Sequence, residues 1–210
     1  MYNPAAFRET RSEMIEAAMA EHPLAVLVTL GSEGLEASHL PLLYHRTEGG
    51  AGVLRGHMAR ANQQWREYQP GTEALAIFRG PQHYVSPTWY PSTKEHGKVV
   101  PTWNYVVVEA RGALVFHHGA PWLLENVTAL TDAQEKSNEE PWRVEDAPAD
   151  FIGNMLAAIV GVEMKITRVE GKWKVSQNRA NPDREGAVEG LERAGACKMA
   201  GLVRAALKGR

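Results

Sequence analysis

Residues 80–104 read GPQHYVSPTWYPSTKEHGKVVPTWN. The stretch holds two Trp, two Tyr and four Pro, and it lies between the strand-like runs 74–78 and 105–108. Connections in compact domains usually span only a few residues, and a long one is either functional or disordered. Disordered segments are poor in aromatics, so this composition points to function. Proline fixes φ, which holds the rings in place. Flat rings on a stiff frame suit a planar, partly polar ligand.

Working outward, short strands surround the loop. Residues 24–30, LAVLVTL, predict a buried strand, GSEG a turn, and 35–43 its hairpin partner. A third strand is expected at 53–56 and a short helix at 60–68 with Trp65 inward. Residues 113–116 continue the sheet past a kink at Gly112, and 162–169 with 172–176 form a hairpin across Glu170-Gly171. Helical spacing marks Phe7, Met14, Ile15, Ala18 and Met19 before Pro23, then 122–134, 149–159 and the tail from Arg184. Close-set strands with late helices predict an α+β, mainly β chain built on a small antiparallel barrel, not βαβ units. The acidic stretch 139–150 is the best linker candidate, but strands resume after it. One domain over residues 1–210, with a helical insertion and a C-terminal helical tail at about 184–210, is the simpler organisation.

Bulk properties narrow the classes. Hydrophobic residues make up 44% of 210, enough for a normal core. The net charge of −2 leaves no electrostatic footprint for nucleic acid. The one cysteine, Cys197, cannot close an intrachain disulfide, which fits a reducing cytoplasm. There is no apolar run of membrane-spanning length and no basic-then-apolar leader pattern, so a cytoplasmic protein without membrane contact is expected. The histidines form neither HExxH nor a Cys/His set, so no metal is expected. GxSxG, GxGxxG and P-loop patterns are absent, and no catalytic residue can be assigned.

Three segments could carry chemistry. Residues 54–62, LRGHMARAN, stand at an expected strand-to-helix junction, where free N–H groups suit a phosphate and Arg60 adds a planar donor fork. His57 and Asn62 could add donors; the plainer reading is a solvated arginine at an ordinary helix start. His39 stands in SHLPLL, where alternation puts Ser38, Leu40 and Leu42 on one face and Ala37, His39 and Pro41 on the other. It is either an idle strand histidine or a contact at the barrel rim. Residues 173–179, WKVSQNR, run out of a strand into polar groups, and Gln177 and Arg179 are either solvated or the second wall of a ligand site.

Ordered along nearly the whole chain are Met1-Tyr2 with Pro4 and Phe7, then His39-Leu40-Pro41, Gly56-His57 and Ala61-Asn62. Gly80-Pro81, residues 84–87 (YVSP), Trp89-Tyr90, residues 100–105 (VPTWNY), 174–179 (KVSQNR) and Asp183-Arg184 follow. With this set the chain resembles the PaiB family, the FMN-binding negative transcriptional regulators. It departs from the family's commonest ending at RANPDREG, where Asn181 stands in place of an Arg-Pro followed closely by Asp-Arg.

The resemblance implies a split β-barrel of the pyridoxamine-phosphate-oxidase and flavin-reductase kind, with FMN at a homodimer interface. Arg60, Asn62 and His57 fall at the superfamily's phosphate position, and His39 and Leu40 where the flavin edge is touched. Ser86, Trp89, Thr102, Trp103 and Asn104 fall in the signature loop, and Gln177 and Arg179 in the late segment that reaches the cofactor. Three functions remain open: a flavin-binding regulator, an FMN-dependent oxidoreductase, and a haem-handling or flavin-storage protein. Direct nucleic-acid binding is doubtful, because no helix-turn-helix stands out. The basic residues Lys198, Arg204, Lys208 and Arg210 read as the solvated face of a docked helix.

Overall fold

The structure is a computed structural model and describes residues 1–208; Arg210, named among the basic tail residues, lies outside the described residues. Seven strands form one sheet: β1 (Arg8–Glu9), β2 (Leu24–Gly31), β3 (Gly34–His45), β4 (Val53–Ala59), β5 (Ala74–Val85), β6 (Thr102–His117) and β7 (Ile159–Lys174). Among the described residues, seven α-helices accompany them: α1 (Ser12–Glu21), α2 (Gln64–Glu67), α3 (Ser92–Glu95), α4 (Ala120–Glu135), α5 (Ala149–Ala157), α6 (Asn181–Arg193) and α7 (Cys197–Lys208). The strand order is β1-β7-β4-β3-β2-β5-β6, and a further pairing of β7 with β6 returns six of the strands on themselves. The chain forms two compact units, one of residues 1–15, 79–108 and those from Glu170 onward, the other of residues 16–78 and 109–169.

The second unit holds the hairpin expected across GSEG, β2 with β3, and a long-range pairing of β4 with β7. β2 pairs antiparallel with β3 from Leu24↔Pro41 to Gly31↔Gly34, and β4 pairs with β7 from Val53↔Lys165 to Ala59↔Ile159. Leu40 and Leu42 turn inward and are almost fully buried, whereas His39 is exposed. Ala25, Leu27, Leu54, Ala76, Phe78, Val160, Val162 and Met164 complete this core, with Met19 of α1. Each of the Leu, Val, Met and Phe side chains contributes roughly 1.5–3 kcal/mol on burial.

The first unit is capped by α6 and α7. Val175, Val188, Leu191, Met199, Ala200 and Val203 form its core. The apolar stripe read from the tail sequence is therefore a docked face. Trp89 packs beside this cluster and beside Val85, Tyr90 and Ala187.

Five expectations change. Phe7 is not part of the first helix: it ends the turn Ala5–Phe7, and β1 separates it from α1. The hairpin across Glu170-Gly171 is absent: β7 runs straight through, because β1 pairs there, Arg8 with Lys172 and Glu9 with Gly171. Gly171 serves close approach rather than a turn, since a Cβ would meet the Trp173 ring at 2.8 Å and Ile15 at 2.9 Å. The long loop is shorter than read: β5 continues to Val85, and Pro87–Trp89 and α3 give the remainder regular turns. β6 runs unbroken through Gly112. The helix expected over residues 60–68 is only the four-residue α2, so Arg60 and Asn62 lie in the turn before it.

Candidate functional site

In the first unit the start of β6, the end of β7 and the turn after it enclose a cleft of about 210 Å³. Its polar lining is Thr102, Asn104, Lys174, Ser176, Asn178 and Arg179, and Phe7, Tyr90 and Val100 supply the apolar and aromatic part. Asn104 is completely buried; its Nδ2 donates to Ser176 Oγ at 2.9 Å, and the Ser176 hydroxyl lies 3.3 Å from Asn104 Oδ1. Ser176 has φ 64°, the one positive φ at a non-glycine among the described residues. Such a conformation costs about 1–3 kcal/mol and persists where its surroundings enforce it. The buried pair with Asn104 and the bond from Arg179 N to Ser176 O at 3.0 Å do so here.

The cleft is cationic. Lys174 Nζ donates to Thr102 Oγ1, and the Arg179 guanidinium lies over the Tyr90 ring, 4.8 Å from its centroid. Lys172, on the same face of β7 as Lys174, donates to Tyr2 O at 2.9 Å and lies over the Tyr2 and Tyr105 rings. Burial above all, and then Lys172 and Arg179, push the Lys174 ammonium below its ordinary value against an opposing pull from Tyr105. Burial raises the Tyr90 phenol, partly offset by Arg179.

Of the candidates in this unit, Thr102, Asn104 and Arg179 come together in the cleft. The other four have different partners. Ser86 accepts from Thr88 N at 3.2 Å and caps the turn Pro87–Trp89. The Trp89 ring is seated on α6, where a Cβ at Gly190 would lie 2.1 Å from it, and stacks on His83. Trp103 is 54% exposed and meets Tyr84 edge-on at 6.2 Å. Gln177 folds back on the strand end, donating to Trp173 O and accepting from Val175 N at 2.8 Å.

Lys174 and Ser176 belong to the motif KVSQNR but are not among the expected site residues. Strand alternation was the available signal, because it puts 174 and 176 on one side. Asp183, another motif residue, accepts from Ser92 N at 3.1 Å and Ser92 Oγ at 2.7 Å, so it ties α6 to the loop.

In the second unit the Arg60 guanidinium is engaged with backbone. Its Nε donates to Ala157 O at 2.7 Å and its Nη2 to Ile159 O at 2.8 Å, clamping the junction of α5 and β7. Nη1 lies 3.4 Å from His118 Nδ1. Asn62 donates to Ser38 Oγ at 2.8 Å and accepts from Gln64 N at 3.0 Å. His57 faces Asn126 of α4 at 3.4 Å, and burial lowers its pKa, so its imidazole is neutral at neutral pH. His39 and Leu40 occupy opposite faces of β3.

The donors of the first-unit cleft fit FMN chemically: cations, amides and hydroxyls for a phosphate or the carbonyl edge of the ring, and aromatic surface for its face. Its volume is below the roughly 300–1,000 Å³ typical of ligand pockets, so the cleft accommodates part of such a molecule.

A family model described as "Putative FMN-binding domain" matches residues 1–168. Curated proteins similar over nearly the full length include the following two. "Protease synthase and sporulation protein PAI 2" of Bacillus subtilis is 31% identical, the match covering 99% of each chain. An uncharacterized protein of Emericella nidulans is 33% identical, with 93% of this chain and 92% of the relative covered. Among solved structures, the Azotobacter vinelandii flavocytochrome Anf3 superposes with a TM-score of 0.58 at 14% identity, over 84% of this chain and 71% of the other. The FAD and heme binding protein of Mycobacterium smegmatis gives 0.58 at 16%, over 87% and 80%. These structural likenesses show the fold, a split barrel of mixed α+β, mainly β, composition. FMN is the cofactor of the matched domain, and the chain belongs to the PaiB-type family of FMN-binding proteins.

Proposed function

We propose that this protein acts as a homodimeric, flavin-responsive regulator, with FMN held between protomers. The observation that carries this reading is the first-unit cleft. Thr102, Asn104 and Arg179 converge there with Lys174 and Ser176, yet the space of about 210 Å³ is too small to enclose a flavin nucleotide. A second wall is needed, and twofold assembly, the commonest oligomer, supplies one from an identical chain. The exposed Trp103, Tyr84 and Val100 offer apolar surface for it in the same unit. Bound FMN would supply reversible hydride or electron transfer, and its redox state is a natural signal. The protein's own residues bind and orient it: Lys174 and Arg179 provide charge, Asn104 an amide donor and acceptor, and Tyr90 a rigid ring under Arg179.

Regulation is proposed to run through flavin occupancy or a protein partner rather than direct DNA contact. In α7, Arg204 Nη2 donates to Glu192 Oε1 of α6, so one of the tail's cations is neutralised within the unit. The test combines three measurements on the purified protein. The visible spectrum should show oxidised flavin, and light scattering should give a dimer mass. Binding to random DNA should be no tighter than about 10⁻⁶ M at physiological salt. A monomer with flavin bound removes the shared site. A nanomolar, sequence-selective DNA shift replaces partner-mediated regulation with direct repression. Rapid flavin reduction on anaerobic mixing with a reduced nicotinamide would assign an oxidoreductase instead.

A further inference from the structure

We propose that the Lys174–Arg179 cleft is an oxyanion site, taking the phosphate of a phosphomonoester. The proposal deepens the flavin reading where the ester is FMN and stands without that reading where the ester is a separate small molecule.

Four observations converge. No carboxylate lines the cleft, and among the described residues neither Lys174 nor Arg179 has an acidic side chain as an ion-pair partner. Both cations are held in place, Lys174 by Thr102 Oγ1 and Arg179 on the Tyr90 ring, so little freedom is lost when an anion arrives. The floor is polar and buried: Asn104 and Ser176 lie there, and Ser176 has the one positive φ at a non-glycine among the described residues. The volume suits a headgroup rather than a ring system. Like charges gathered without a counter-charge disfavour one another, and a dianion reverses that sign. Burial first, and then Lys172 and Arg179, hold the Lys174 ammonium below its ordinary value, and a bound anion would offset both causes.

The test uses the full-length protein, flavin-free and FMN-loaded, titrated with inorganic phosphate and, separately, with FMN and riboflavin. Saturable phosphate binding is expected in the flavin-free form. Lys174→Met and Arg179→Met should each weaken it about ten- to a hundred-fold, the range for charge-assisted hydrogen bonds. Lys174→Arg should recover most of it with melting temperature unchanged, which a merely structural lysine would not explain. If phosphate competes with FMN but not with riboflavin, the oxyanion is the cofactor's own. If phosphate still binds FMN-loaded protein and the variants abolish that binding, the site serves a separate ester. Phosphate binding without any flavin binding retains the oxyanion site and removes the flavin reading. Lack of saturable binding by either form up to ~10 mM phosphate, or binding unchanged in both Met variants, overturns the proposal.

Discussion

Two turns of this molecule carry an arginine that sequence reading offers to a ligand, and they treat it differently. In the turn after β4, Arg60 donates Nε and Nη2 to two carbonyls at the α5–β7 junction, and its third edge faces His118. In the turn after β7, Arg179 is stacked on Tyr90 and lines an open cationic cleft with Lys174. Both are a basic residue in a polar turn. The difference lies in what the donors meet: a guanidinium that satisfies two backbone carbonyls is an architectural clamp, whereas one stacked on a ring beside a cleft presents its charge there. A phosphate role for Arg60 would rest on Nη1 alone.

The sharpest break in the comparison comes from removing the scaffold of one side. Gly186→Ala puts a Cβ 2.1 Å from the Trp89 carbonyl oxygen, a backbone atom with little room to give. We expect a loss of about 2–3 kcal/mol in urea unfolding, with the first-unit cleft and its ligand binding lost together. Unchanged stability would show that the loop is not braced against α6.

The paired substitution is next in size. Arg60→Met should cost about 1–2 kcal/mol of stability, because two carbonyls lose charge-assisted donors at a partly exposed site, and should leave the ratio of FMN to riboflavin affinity unchanged. Arg179→Met should do the reverse: nearly unchanged melting and FMN weakened about tenfold relative to riboflavin. A selective loss of FMN in the Arg60 variant would return the phosphate to the first turn.

Asn104→Ala should lower stability by about 1–2 kcal/mol, since it leaves the buried Ser176 hydroxyl without its amide partner, and lower flavin occupancy as well. Flavin loss with unaltered melting would mean that Ser176 finds another partner and that Asn104 serves the ligand directly.

The smallest expected effect is in pH dependence. His57 has a folded pKa depressed by burial, so below the ordinary 6.5 the unfolded chain binds its proton more readily than the folded one. Stability contributed by the neutral imidazole is complete above 6.5 and falls as pH drops from there through the folded value. Melting at pH 7.5 and 5.5 should differ by less in His57→Asn than in the unchanged protein; equal differences would show that the drop belongs to other groups.

Much of this was legible in the sequence because it is written in short periods. The apolar run 24–30 and the turn GSEG point to β2 and β3, alternation puts Leu40 on the face opposite His39, and the stripe Met199, Leu202, Val203, Ala206, Leu207 marks the docked face of α7. The motif order gave the family. Glu170-Gly171 misled for a physical reason: a glycine after a polar residue signals a turn locally, but here the bare Cα admits Trp173 and Ile15 while β1 pairs across. The helix expected over residues 60–68 failed similarly, because Asn62 closes the turn with Ser38 and Gln64 before α2 begins.

The sequence by itself determined the strand-rich class, the family with its FMN, and the set of residue types available to hold a ligand. Only the tertiary structure decided which of them are free to do so. Thr102, Asn104 and Arg179 are brought to one cleft with Lys174 and Ser176, while Ser86, Trp89 and Gln177 cap, brace and fold back. Residue type fixes how many donors and charges a side chain owns. Whether they are consumed depends on partners such as Thr102 for Lys174, 72 residues away in sequence, and no local pattern encodes that.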